Sequence, residues 1–138
     1  MRVYLAAGFS RKNEIAEKSQ ELENLGIKIV STWTNDSEEL DDKIYDCQSS
    51  EDFCTLSELA RKDENEIKRC DALVLFTQSP KIPFYRGSRM DEAGFARALG
   101  KTILVCGPRE NLFHYLPEIN QFNTWEELKA TLTKAILV

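Results

Sequence analysis

The chain has one histidine, His114, and its four cysteines, Cys47, Cys54, Cys70 and Cys106, form no CxxC pair. A histidine-rich metal site would rest on a single residue, so a zinc centre is rejected, and a Ser-His-Asp triad is set aside for the same reason. No GxxxxGK[ST] loop occurs, which excludes a P-loop nucleotide hydrolase, and a GxGxxG dinucleotide loop is also missing. Positive charge is in deficit: 18 Lys and Arg stand against 23 Asp and Glu, a formal net charge of −5. Binding to nucleic acid or to a membrane surface needs a basic footprint and is not expected, although scattered Lys and Arg can line a pocket for one small anion. No apolar run is long enough to cross a bilayer, and Met1 leads straight into a strand with no signal peptide, so a cytoplasmic location is expected. Without any sign of export, a Cys47–Cys54 bridge is not expected; Cys70 and Cys106, beside or inside apolar runs, read as buried thiols.

What is present is a regular alternation. With no repeat, low-complexity tract or linker, residues 1–138 read as one domain, long enough to bury a core. The apolar run 2–7 predicts a first strand, and a helix over about 11–25 follows, with Ser10 as its N-cap and Gly26 as its stop. Ile15, Ser19, Leu22 and Leu25 share that helix's inner face. Residues 27–33 predict a second strand, mixed in polarity and therefore near a sheet edge. An acidic loop over 34–50, with room for a short helix at 38–45, precedes a long helix over 50–70 whose apolar side is Phe53, Leu56, Leu59, Ala60 and Ile67. The third strand, 71–76, leads into a loop over 77–86 that contains Pro80 and Pro83. Then come a helix starting near Gly87-Ser88-Arg89, a fourth strand at 102–106, a turn at 107–111 and a short fifth strand at 119–122. In the closing helix Thr124 and Glu127 form a capping box, and Trp125, Leu128, Leu132, Ala135 and Ile136 face inward. Alternating strands and helices imply an α/β domain: a five-stranded parallel sheet flanked by helices, of flavodoxin-like or Rossmann-like layout. Ligands bind such sheets at the carboxyl ends of the strands, near the switch in strand order.

Three loops at those ends carry distinctive residues: Gly8 and Phe9 after the first strand, Trp33 after the second, and Gly87, Ser88 and Arg89 with Glu92 after the third. A helix start offers unpaired N–H groups and a partial positive charge to an anion, and a carboxylate at Glu92 is expected to stay ionised there. Taken singly, each residue has a plain structural reading. Glu92 reads as a solvated acid, and Asp63 as part of the wet charge run 61–66. Tyr4 would be a buried local tie, Phe9 and Trp33 packing, and Asp71 the residue that leads into a strand.

Together, the residues resemble the nucleoside 2-deoxyribosyltransferase superfamily, which includes nucleoside 5′-monophosphate N-glycosidases. The resemblance spans most of the chain. Val3-Tyr4-Leu5-Ala6-Ala7-Gly8-Phe9 resembles the family's first strand and its tyrosine. The segment 63–71, from Asp63 through Ile67 to Asp71, matches D-x-x-x-I-x-x-x-D, whose first aspartate is catalytic in the family. The segment 92–101, with Glu92, Gly94, Ala96, Gly100 and Lys101, matches E-x-G-x-A-x-x-x-G-K, whose glutamate is the nucleophile. Gly-Ser-Arg before Glu92 and the run 107–111 after it are closest to small phage and bacterial members.

The resemblance implies an enzyme of the N-glycosidase or deoxyribosyltransferase type that uses no metal or cofactor. Glu92 would attack C1′ of a nucleoside or nucleotide sugar and release the base. Tyr4 would orient Glu92, and Asp63 would bond a sugar hydroxyl or supply a proton to the base. Phe9 and Trp33 would wall the base, with Gly8 and Gly87 in the substrate loops. Two departures bear on the substrate. Arg86 stands where the transferases carry an aspartate, and Asp91 adds a second carboxylate beside the nucleophile. Ser88 and Arg89 at a helix start suit a 5′-phosphate, which tilts the reading towards a monophosphate. An asparagine that relatives supply from a neighbouring subunit has Asn111 and Asn120 as candidates. The family's assemblies imply a homodimer or larger, with the site near the subunit interface. A non-catalytic nucleotide-binding module of the same fold is the alternative.

Overall fold

Five strands form one parallel sheet in the order β2-β1-β3-β4-β5. The computed structural model describes residues 1–36, 49–77 and 87–137. Strands β1 (Arg2–Ala6), β3 (Ala72–Phe76) and β4 (Thr102–Cys106) coincide with the apolar runs, and β5 (Ile119–Phe122) with the short fifth strand predicted there. Strand β3 is buried throughout, as a central parallel strand covered on both faces must be. Four helices flank the sheet: α1 (Lys12–Asn24), α2 (Ser50–Arg69), α3 (Ser88–Ala98) and α4 (Trp125–Leu137). Helices α2 and α3 pack on one another and on β1, while α4 lies against β4 and β5. The α1 and α4 helices meet on the opposite face, where Trp125 Nε1 donates to Glu21 (2.8 Å) and the Trp125 ring lies 5.7 Å from that of Phe76. The α/β architecture with a parallel sheet is thus as the sequence predicts.

The second strand is shorter than predicted, and its side chains explain why. Only Lys28–Ile29 pair with β1 as a strand. Beyond Val30, the Ser31 hydroxyl accepts from Leu5 N (3.1 Å) and the Trp33 indole donates to Leu5 O (2.6 Å). With both groups of Leu5 already satisfied, the backbone is released into a 3-10 turn over Trp33–Asn35. The edge position of β2 agrees with its mixed polarity.

Several helix details also depart from the sequence reading. Phe9–Arg11 form a 3-10 turn, so α1 starts at Lys12 and Ser10 is not its cap. Ile15, Ser19 and Leu22 are buried, but Leu25 lies past the last helical turn and is 41% exposed. At 20 residues, α2 is ~30 Å long, whereas a five-residue strand spans only ~17 Å. Its first turns therefore overrun the sheet, leaving Phe53 and Ala60 exposed rather than inward. The same overrun exposes Ala135 and Ile136 at the end of α4, although Leu128 and Leu132 are buried and Thr124 Oγ1 caps Glu127 N as expected. The short helix expected at 38–45, the proline loop with Arg86, and Cys47 lie outside the described residues. Cys54 is a free thiol.

Candidate active site

The order 2-1-3-4-5 makes the gap between β1 and β3 the switch point, where consecutive connections leave in opposite directions. The site forms against that gap. Successive β1 side chains alternate faces, and Tyr4 falls on the face that α2 and α3 cover. Its buried hydroxyl donates to Glu92 Oε2 across 88 positions of sequence. Glu92 is held in the second turn of α3, which begins behind Gly87 in the left-handed conformation (φ 84°), a position that favours glycine.

Burial, more than anything else, sets the protonation of this cluster. It raises Glu92 to about 8; the Tyr4 hydrogen bond opposes the rise, and the charges of Asp63, Glu66 and Asp91 add to it. The expectation that Glu92 stays ionised is therefore corrected: at neutral pH the ligand-free protein favours its protonated form. The sequence argument counted the helix terminus but not the desolvation or the company of other acids. Asp63 is raised to about 6 by burial, with Glu66 and Asp36 adding and Lys62 opposing. Its Oδ1 is buried without a hydrogen-bond partner among the described residues. Tyr4 is held far above its ordinary value by burial and then by Glu92, so it stays a neutral donor. Two interacting acids that titrate near 6 and 8 hold one proton between them around neutrality, a property of the pair rather than of either residue.

A third carboxylic acid of the cluster was missed in the charge run. Glu66 is 4% exposed, and its two oxygens accept from Thr32 N (3.1 Å) and Thr32 Oγ1 (2.6 Å). The signal was available: Asp63, Glu66 and Ile67 recur at helical spacing on one face, so the face that carries Ile67 inward carries both acids with it. The turn that Glu66 grips holds Trp33, whose ring stands 6.2 Å from Phe9 at 46°. The two aromatics are thus brought together beside β1, with Phe9 partly open and Trp33 buried. Gly8 supplies ordinary extended backbone before Phe9.

Other candidates are placed elsewhere. Ser88 is exposed at the start of α3. Arg89 is buried with Glu110, and their side chains are 1% and 3% exposed at 3.0 Å, so its charge is neutralised inside the protein. Asn111 caps the 3-10 turn Leu112–Tyr115, accepting from Phe113 N (2.9 Å), and lines a cleft of about 390 Å³ with Met90, Gly94, Arg97 and Phe113. At 100° per residue, Met90, Gly94 and Arg97 lie on the side of α3 opposite Glu92, so Asn111 does not join the acids of its own subunit. Asn120 donates to Ile103 O (3.2 Å). Asp71 accepts from Arg2 N (2.8 Å) at the amino edge of the sheet, which agrees with its plain reading. His114 is buried, and its Nδ1 accepts from Glu110 N (3.0 Å). Among the described residues no group of three His, Cys, Asp or Glu side chains is arranged to hold a metal ion, and no helix is long and apolar enough to cross a membrane.

The structure of a CMP N-glycosidase from Clostridium botulinum, BcmB, matches this one with a TM-score of 0.56, at 23% sequence identity and over 100% of both chains. That likeness establishes the fold. No family model and no curated protein matches the chain.

Proposed function

We propose that the protein cleaves the N-glycosidic bond of a nucleoside or nucleoside 5′-monophosphate. The observation that carries this reading is the pairing at the sheet's switch point: a carboxyl, Glu92, oriented by Tyr4, and a second, half-buried acid, Asp63, with a buried oxygen that has no partner among the described residues. The whole-chain likeness to a CMP N-glycosidase supports it. In the first step a Glu92 oxygen bonds C1′ as the C1′–N bond breaks, through an oxocarbenium-like transition state. The bonding electrons leave with the base, which takes a proton from Asp63. In the second step water or another nucleobase attacks C1′, Asp63 takes the proton back, and Glu92 is released. The chemistry needs the pair's proton on Asp63 with Glu92 ionised, the reverse of the ligand-free order, so in this mechanism the proton passes from Glu92 to Asp63 when substrate binds. Phe9 and Trp33 wall the base, and the α3 N-terminus at Ser88 faces a 5′-phosphate.

Base release from ribo- and deoxyribonucleosides and their 5′-monophosphates, with and without an acceptor base, tests this. Release in water alone supports hydrolysis; release only with an acceptor supports transfer. The raised Glu92 favours a second reading, a nucleotide-binding module that does not turn over. Glu92→Gln separates the two: it abolishes release and spares binding in an enzyme, whereas a binder shows no release in either form.

A further inference from the structure

Glu66 is buried among acids, and its only hydrogen-bond donors among the described residues belong to Thr32. A carboxylate taken out of water without a cation is costly, and a merely structural tie between α2 and a turn does not call for one. Its place in the connectivity explains it. Asp63 stands one turn away on the same helix. Thr32 is followed directly by Trp33, and Trp33 is fastened to Leu5, next to Tyr4 on β1. The chain of contacts therefore runs from the acid on α2, through Glu66 and Thr32, to the aromatic wall and the strand that carries Tyr4. Removing Glu66 opens that chain at its middle.

We propose that Glu66 is a positioning residue of the site: it clamps the Thr32–Trp33 turn onto the helix that carries Asp63 and so sets the distance between the aromatic wall and the acids. The inference rests on the function proposed above. It also has an electrostatic consequence. Among the described residues, the charged and titratable groups that act on Glu92 are Tyr4, Asp63, Glu66 and Asp91, and those that act on Asp63 are Lys62, Glu66 and Asp36. Glu66 is the acid that raises both, so it helps keep one proton on the pair.

The test uses the whole chain and two variants. Glu66→Gln removes the charge and one acceptor; Thr32→Val removes the hydroxyl and leaves the charge. Three quantities are read: the carboxyl titrations of Asp63 and Glu92 by 13C NMR, exchange of the Thr32 amide, and kcat and KM with CMP as first substrate. Glu66→Gln is expected to lower both carboxyl midpoints by roughly half a pH unit or more and to speed Thr32 amide exchange. Thr32→Val is expected to leave the midpoints in place and to raise KM by roughly tenfold with a smaller change in kcat. Wild-type midpoints and Thr32 exchange in Glu66→Gln overturn the proposal; so does a wild-type KM in Thr32→Val, which also carries the test should Glu66→Gln not fold. If the wild-type protein releases no base from any substrate, the proposed function fails by itself, and the titrations and amide exchange still judge Glu66.

Discussion

Helix α3 carries two charge clusters one turn apart on its sheet-facing side, one flank towards β4 and the other towards β1, and the two are built on opposite principles. On one flank Arg89 and Glu110 meet at 3.0 Å, both almost fully buried and of opposite sign. On the other, Glu92, Asp63 and Glu66 are all acids; Tyr4 is a neutral donor, and Lys62, turned to Asp36 at 3.4 Å, is the cation nearest them in sequence. The first arrangement neutralises its own charge and fastens the start of α3 to the loop after β4. The second has no matching cation among the described residues, raises two carboxyls, and opposes folding at neutral pH. A fold that can build the first has no structural need of the second, so the like-charged flank reads as the working one.

The largest expected effect tests that contrast directly. Glu92→Gln should reduce base release by roughly 10³-fold or more, measured on whichever substrate the panel identifies, while the protein stays folded. Full activity in this variant would remove the like-charged flank from the chemistry. On the other flank, Arg89→Met should lower stability by ~3–5 kcal/mol, because it removes the cation that Glu110 meets at 3.0 Å inside the protein. Thermal unfolding checks this, and adding Glu110→Gln should recover part of the loss. If Arg89→Met unfolds at the wild-type temperature, the pairing is not what holds that flank.

Tyr4→Phe should slow turnover by about tenfold and move the acid limb of the pH–rate profile upward. The sign follows from the hydrogen bond, which favours ionised Glu92 and is lost in the variant. A limb that moves down instead would mean that Tyr4 does not stabilise the carboxylate. Stability itself should respond to pH through Glu92. An unfolded chain releases this proton near 4.5, and the folded protein keeps it to about 8. The native state binds more protons across that window, so stability present below pH 4.5 is lost progressively as pH rises to 8. Glu92→Gln should remove the loss, giving a higher Tm than wild type at pH 8 and a smaller difference at pH 5. The smallest expected effect lies in the cleft beyond α3. A side-chain carbon at Gly94 would meet nothing within 4 Å, so Gly94→Ala should stabilise the helix by ~0.5–1 kcal/mol in denaturant unfolding.

Strands and helices were legible because each is marked by a local pattern: three apolar runs and two shorter strands of mixed polarity, helical periodicity, and Gly26, Thr124 and Glu127 as punctuation. The lapses have local causes too. Strand β2 was cut short by its own Ser31 and Trp33 side chains, and α2 and α4 overran a sheet shallower than they are long. Within the site, Tyr4, Asp63 and Glu92 were recognisable from their segments, and the structure brings Tyr4 and Glu92 into contact. Glu66 was missed for a plain reason. A charged residue in a charge-rich stretch looks solvated until the neighbour that buries it is known.

By itself, then, the sequence determined the succession of elements and the chemical character of each segment, since periodicity and capping act over a few residues. The tertiary structure alone decided which charges meet, which are desolvated, and therefore which carry a proton at neutral pH. Those properties depend on burial and on partners far away in the chain, as the contact between Tyr4 and Glu92, 88 positions apart, makes plain.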